Sequence, residues 1–350
     1  MIDHACIERI LGHGVKAPSG DNSQPWHFSI EKESVLVHAL PERDHPILNI
    51  EARGTYLAIG ALLENIVISS HEEGLSSVIE LFPNDTAVAR IRFIEKEKES
   101  HRLFHAIEKR HSHRGAYRTD IPSDILERLR TIKEGGVYTQ VIHDQSAIRA
   151  IANAASMMEE VALQSKKLHG LFFKNLIWKS SKNKSGDSGL YIKTTELPVP
   201  IQLLFRAIRH WPLMRVLNSI GFAQLAAKSN AEVYAKTGAC IAICVSDTTP
   251  TDFINAGRVM ERVWLEAVGA GLAAQPLAGL LYLATYLKRT DDHDINSQLK
   301  SRSLTAFSVI QHAVGVTPAT TIAMLLRIGT PLRPATARAG RSAPRIAHLI

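Results

Sequence analysis

Three cysteines in 350 residues cannot build a disulfide scaffold. Cys6 stands alone. Cys240 and Cys244 lie four apart in the apolar run GACIAICV, on one face of an expected strand, and read as buried thiols in a reducing compartment. No GxGxxG follows an expected strand, so no separate Rossmann domain is visible. The opening MIDHACIERI lacks the basic segment and apolar core of a signal peptide, and a cytoplasmic location is expected. Val268–Leu287 is 20 residues without a charge, which matches a bilayer in length. Gln275-Pro276 interrupts it, and much of its apolar character is Ala and Gly. It predicts a buried helix, a loop and a second buried segment, with no membrane span. An apolar fraction of 45% and a charged fraction of 21% exclude collagen-like and disordered classes.

The length suits two domains or one large one. Lys and Arg number 41 against 34 Asp and Glu, a net charge of +7. That charge is segregated. Residues 161–186 hold six Lys and no acid, and residues 327–350 hold five Arg and no acid, so the remainder is −4. A basic surface permits an anionic partner without naming one. Lysines interleaved with Phe172, Phe173, Trp178 and Trp211 read as a solvated face over a small local core, and no nucleic-acid partner is expected. His101 and His105 sit i, i+4 on an expected helix, with His111 and His113 following. No carboxylate or Cys completes a ligand set there, so no metal is expected.

What the chain does contain is an internal repeat. At an offset of 197, Gly60 meets Gly257, Glu64 meets Glu261, Gly74 meets Gly271 and Leu75 meets Leu272. Apolar positions coincide as well: Leu63 with Met260, Ile66 with Val263, Ile68 with Leu265. Each segment reads as an apolar helix ending near a Gly-Leu pair. Around the repeats, helices are expected over Cys6–Val15, His101–Arg110, Pro122–Glu134 and Gln145–Lys167. Strands are expected over Trp26–Ile30, Val35–Ala39, Ile91–Glu95, Tyr138–His143, Gly238–Ser246 and Ala323–Ile328. The mixture lacks regular βαβ alternation and points to an α+β fold. Lys166–Ser229 matches nothing in the first half and reads as an insertion.

Two segments carry chemistry. Ala17-Pro18-Ser19-Gly20-Asp21-Asn22-Ser23-Gln24-Pro25-Trp26 makes a tight loop whose amides and short polar side chains can bind a flat polar ring edge. Lys109-Arg110-His111-Ser112-His113-Arg114 sets two guanidinium groups four apart around a hydroxyl, which suits a phosphate.

Together, PSxxNxQPW and RxSxR resemble the flavin-binding signatures of the nitroreductase superfamily of FMN-dependent oxidoreductases. GAGLAAQPLAG (269–279) is similar to that family's Gly-Leu-Gly helix end and Pro-x-x-Gly loop, and MLLRIG (324–329) with its Arg-rich tail is similar to the family's C-terminal pattern. In simple members RxSxR comes first and PSxxN follows. Here the order is reversed, and EGGVYTQVIHD follows Arg114. The resemblance therefore implies a single-chain fused pseudo-dimer with one composite site. Its unequal halves would be residues 1–100, which keep PSxxN, and 101–350, which keep RxSxR. A lid-like insertion would span about 166–229.

Carried over residue by residue, the resemblance implies cofactor contacts from Arg110, Ser112 and Arg114, assisted by His111. Pro18, Ser19, Asn22 and Gln24 would reach the flavin from the other half. Pro276, Leu277 and Gly279 would lie against its ring, and Arg341 would meet its phosphate. No side chain is expected to be catalytic, because FMN carries the chemistry. The implied activity moves two electrons from NAD(P)H to a small organic acceptor, in a monomer or weak dimer. Alternatives are a flavin store or sensor closed by its lid, and a flavin-dependent dehydrogenase in a biosynthetic pathway.

Overall fold

The computed structural model describes residues 3–31 and 34–348. The chain begins with α1 (His4–Gly14), capped by the Asp3 carboxylate, which accepts from the Ala5 N–H at 3.2 Å. The hairpin β1 (Trp26–Glu31) and β2 (Ser34–Ala39) follows. Then come the long α2 (Arg53–Glu72), β3 (Leu75–Leu81) and β4 (Ala89–Glu95). A connecting stretch carries α3 (Phe104–Lys109), α4 (Ser123–Arg130), β5 (Lys133–Glu134) and β6 (Val137–Ile142). Next are α5 (Gln145–Ala155), α6 (Met157–Gln164) and α7 (Lys166–Lys174).

Within and just past the segment expected as an insertion lie β7 (Leu176–Ile177), α8 (Ser180–Lys184), β8 (Leu190–Tyr191), α9 (Val199–Ile208), α10 (Trp211–Ser219) and α11 (Phe222–Ala235). The chain closes with β9 (Ala239–Val245), α12 (Pro250–Gly269), β10 (Ala273–Pro276), α13 (Gly279–Arg289), α14 (Ser297–Val314), β11 (Thr321–Gly329) and β12 (Ile346–His348).

The fold is α+β. One sheet runs β12-β1-β2-β4-β3 and a second β10-β11-β9-β6-β5. β12 pairs parallel with β1, Phe28 opposite Ile346, so the C-terminal end joins the N-terminal sheet. The other pairings in the two sheets are antiparallel. Both helices of the repeat lie between the sheets. α12 starts at a capping box, in which the Thr249 hydroxyl accepts from the Asp252 N–H while Asp252 accepts from the Thr249 N–H, with Pro250 in the first turn. Two residues past the end of each helix comes a left-handed glycine, Gly74 at φ +71° and Gly271 at φ +78°, shortly before the next strand.

β9 explains the apolar run around the cysteines. Ile241, Ile243 and Val245 face the core around α2 and α12, while Cys240, Ala242 and Cys244 face a second core beneath α5, α13 and α14. A strand covered on both faces needs no polar alternation. Burial pushes the thiols of Cys240 and Cys244 up to about 12, so both are inert.

Several boundaries differ from the expectations. The helix expected over Gln145–Lys167 is three helices, broken at Ser156 and again at Ser165, whose backbone is extended and whose side chain caps α7 by accepting from the Leu168 N–H. The helix expected to Glu134 stops at Arg130, and a turn at Gly135 (φ +53°) leads from β5 into β6. The helix expected over His101–Arg110 is limited to Phe104–Lys109. The loop expected within Val268–Leu287 holds the strand β10, which pairs with β11. Among the described residues no helix is long and apolar enough to cross a membrane. None of their His, Cys, Asp and Glu side chains cluster as a metal site would require.

Candidate functional site

A cavity of about 240 Å³ lies between four segments of the chain. Pro18, Ser19, Asp21 and Asn22 line it from the loop after α1, and Arg110, His111, Ser112 and Arg114 from the stretch after α3. Gly189, Leu190, Tyr191 and Thr194 reach it from the insertion. Arg338 and Arg341 reach it from the tail.

The loop is built from unusual backbone. Asp21, Asn22 and Gln24 have φ of 45°, 57° and 49°, a region that short polar side chains tolerate best. The Ser19 hydroxyl accepts from the Gln24 N–H at 3.0 Å and closes the turn. Asn22 donates to the Gly340 carbonyl at 3.0 Å and accepts from Arg341. The Asp21 carbonyl accepts from the Gly189 N–H at 2.9 Å. This fit leaves no room for a side chain at Gly340, whose Cβ would stand 1.8 Å from the Asn183 carbonyl oxygen.

The second stretch is extended, and its side chains divide between two surroundings. Ser112 bridges to Ala274, and the His113 N–H donates to the Ala274 carbonyl at 3.0 Å, which docks the stretch beside β10. His113 points inward to the Arg333 carbonyl. Arg110 is buried. Its guanidinium lies 4.6 Å from the Trp264 ring centroid, donates to the Lys16 carbonyl, and has Nε 3.1 Å from Glu261 Oε1. Arg114 donates to the Thr194 carbonyl at 2.9 Å.

The electrostatics are unbalanced. Burial lowers Arg110 and Arg114, and burial with the neighbouring Arg110 brings Arg341 down to about 9. The nearby buried carboxylate is Glu261, which burial pushes up to about 7 against the opposing pull of Arg110. Arg341 Nε is buried without a hydrogen-bond partner. Lys16 and Arg338 add charge at the rim, partly offset by Asp21 and by Glu108, which pairs with Lys16. Buried cations in excess of their counter-charges are costly unless an anion completes the set. Hydroxyls at Ser19 and Ser112 add donors and acceptors suited to a polyol.

The structure thus brings Pro18, Ser19, Asn22, Arg110, His111, Ser112, Arg114 and Arg341 into one cavity. It does not bring Gln24, Pro276, Leu277 or Gly279 there. Gln24 is buried and donates to the Gly186 carbonyl at 2.9 Å while accepting from the Ser342 N–H at 2.9 Å, so both ends of its amide bind the protein itself. Pro276 pairs with Leu326 in the sheet. Leu277 is buried in the core under α13, and a Cβ on Gly279 would stand 2.6 Å from Met158 Cγ. Phe172, Phe173, Trp178 and Trp211 pack within the insertion's own clusters. Sequence reasoning missed Lys16, Asp21, Glu108 and Arg338 as lining residues. The first two sit in or beside the loop motif, and Arg338 belongs to the Arg-rich tail, so proximity was the available signal. Gly189–Thr194 had none.

No family model matches the chain. An uncharacterized protein of Mycobacterium tuberculosis (strain CDC 1551 / Oshkosh), MT1398, is 22% identical over 283 residues, which is 79% of this chain and 39% of that protein. The chain therefore spans well under half the length of this relative. Among solved structures, the chain is similar to an FMN-bound nitroreductase of Bacteroides fragilis at a TM-score of 0.35 and 12% identity, over 69% of this chain and 97% of that one. It is similar to the FMN- and NADPH-dependent nitroreductase NfnB of a Sphigopyxis strain at 0.35 and 14%, over 68% and 95%. A BluB-like flavoprotein of Clostridium difficile gives 0.35 and 11%, over 68% and 94%. Similarity at this level leaves the functional reading to the chain's own residues.

Proposed function

We propose that the chain is an FMN-binding oxidoreductase of the nitroreductase type that passes two electrons from NAD(P)H to a small organic acceptor. The observation that carries this reading is the cationic cavity itself. The two motifs, with Asn22 and Arg110 88 positions apart, and Arg341, 227 positions beyond Arg114, converge on one space. Arg110 and Arg341 share one buried carboxylate, Glu261, Arg114 lines the same cavity, and Arg341 keeps an orphaned Nε, a set that fits a phosphate dianion. Arg110, Arg114 and Arg341 would hold the phosphate, while Ser19 and Ser112 would meet the polyol. Bound FMN would supply the two-electron chemistry. The chain's part is to bind, orient and exclude water.

The reciprocal packing of α2 and α12 supports reading the chain as an internal pseudo-dimer. Its halves would be 1–100 and 101–350, with β12 reaching back into the first sheet.

A second reading, a flavin store, is favoured by one observation. The cavity is smaller than the ~300–1,000 Å³ typical of sites that enclose a drug-sized ligand. Gly189, Leu190, Tyr191 and Thr194 form part of its wall, as a segment that holds a stored cofactor would.

Purified protein should carry flavin, and Arg110→Ala with Arg114→Ala should lose it. Unchanged flavin content in the double variant would defeat the binding reading. Anaerobic addition of NADPH or NADH separates the two functions. Rapid bleaching of the oxidised flavin band supports the enzyme. A flavin that only dithionite reduces supports the store.

A further inference from the structure

The insertion has a property that flavin binding does not use. Among the described residues, twelve large apolar side chains are exposed, and seven of them fall within 199–225. They recur at helical spacing. Val199, Ile201 and Leu203 lie on α9, Leu213 and Val216 on α10, Ile220 at the cap that ends α10, and Leu225 on α11. Exposure is high, 67% for Val199, 62% for Val216, 80% for Ile220 and 66% for Leu225. The opposite faces of the same helices are satisfied. Ile208, Met214 and Ala223 are buried together with Leu204, Leu217 and Phe222 packed against them. The exposed residues are therefore a surplus beyond what the insertion's own core requires. Apolar surface so concentrated marks an interaction site.

Charge identifies what that surface meets. Residues 161–231 hold eleven Lys and Arg against only Asp187 and Glu196, a net +9, whereas the whole chain is +7. The rest of the molecule is thus −2. From Leu197 to Ala231 there is no acid at all, while Arg206, Arg209, Arg215 and Lys228 are exposed among the apolar residues.

We propose that α9–α11 form a docking surface for an anionic lipid bilayer, lying in the interface without spanning it. Aliphatic side chains on one face with interspersed Arg and Lys match the chemistry of helices that bury an apolar stripe among acyl chains while cations meet lipid phosphates. A second copy of the chain does not fit this face, because an isologous contact would oppose two patches of like charge. Nucleic acid does not fit either. Its bases need exposed rings, and here Phe172, Phe173 and Phe205 pack into local clusters while Trp178 lies beneath Arg206 at 5.6 Å. Docking would set Gly189–Thr194, which precedes α9 and lines the cavity, close to the membrane side of the molecule.

The test is flotation of the full chain with vesicles of phosphatidylcholine alone, or of phosphatidylcholine and phosphatidylglycerol in equal parts. The protein should float with the anionic vesicles only, and salt should weaken binding. Val216→Asp with Ile220→Asp, and separately Arg209→Glu with Arg215→Glu, should each reduce binding about tenfold or more. These exposed sites lie outside the cavity, so circular dichroism, thermal melting and flavin content should match the parent. Three results would overturn the proposal: no flotation with anionic vesicles, parental binding by both variants, or light scattering that shows a dimer dissolved by the Asp substitutions. Tight binding of a single-stranded oligonucleotide that competes with the vesicles and survives the Asp substitutions would also overturn it, in favour of nucleic acid.

Discussion

Gly60 and Gly257 meet where α2 crosses α12, and each occupies the space the other's helix leaves open. A Cβ on Gly60 would stand 1.9 Å from the Ile254 carbonyl oxygen, and a Cβ on Gly257 would stand 2.0 Å from the Leu57 carbonyl oxygen. Leu57 and Ile254 are themselves 197 apart, so the contact obeys the same offset as the sequence repeat. Two helices approach this closely only where neither carries a side chain.

Gly60→Ala or Gly257→Ala should therefore force the two backbones apart. Because the obstructing atoms are backbone, no rotamer change relieves the clash, and the loss should reach about 3 kcal/mol or more. Gly12 in α1 is the control. Nothing lies within 4 Å of its Cβ position, so Gly12→Ala should be neutral or stabilise by up to ~1 kcal/mol through helix propensity. Denaturant midpoints at constant m would check both, and equal midpoints for Gly60→Ala and Gly12→Ala would contradict the close-approach account.

The helices of the repeat were legible because both glycines, the glutamate and the apolar spacing lie in one continuous stretch. The cavity was legible for the same reason, since Ser19, Asn22, Arg110, Ser112 and Arg114 belong to compact motifs. What escaped depends on distant partners. Gln24 sits inside a loop motif, yet its amide is taken by Gly186 and Ser342, 162 and 318 residues away. Leu277 follows the edge strand β10, where its N–H donates to the Leu325 carbonyl and its side chain turns into the core. No local pattern announces that Ile346 will pair with Phe28.

Arg341 should distinguish FMN from riboflavin. Its guanidinium reaches Asn22 and keeps a buried Nε without a partner, beside Arg110. Losing a charge-assisted hydrogen bond removes roughly 1.5–3 kcal/mol, about a 10- to 100-fold loss in affinity. Arg341→Ala should weaken FMN by that factor and leave riboflavin, which has no phosphate, nearly unchanged. Arg341→Lys should retain part of the preference because it keeps the charge. Equal losses for both ligands in fluorescence titrations would show that Arg341 acts by holding the Asn22 loop instead.

The repeat also bears on stoichiometry. Glu261 stands beside Arg110, which lines the cavity, but its repeat counterpart Glu64 is occupied differently. Arg258 Nε donates to it at 3.1 Å and Arg262 Nη2 at 3.0 Å, and both arginines also donate to Glu134. The repeat counterpart of Glu261 is thus engaged in an internal ion network. Released flavin should approach one per chain, and two per chain would exclude this account. Glu64→Gln should cost about 2–3 kcal/mol, less than the ~3–5 of a fully buried pair, because Arg258 and Arg262 remain partly exposed. The flavin content should not change.

Glu159 on α6 gives the chain a pH dependence of its own. The Tyr234 hydroxyl donates to Glu159 Oε1 at 2.6 Å, Oε2 is buried without a partner, and burial pushes the carboxyl up to about 7. Its folded value lies above its ordinary value of 4.5, so the folded state holds the proton more firmly than the unfolded state does. This contribution to stability is fully present below about 4.5, falls as pH rises towards about 7, and is constant beyond. Glu159→Gln keeps the shape and removes the ionisation. The variant should match the parent near pH 4 and exceed it above pH 7, where the parent must bury a carboxylate. The parent-minus-variant difference in unfolding free energy should therefore decline through that window. A flat difference across it would mean that Glu159 titrates normally and that water reaches the α6–α11 contact.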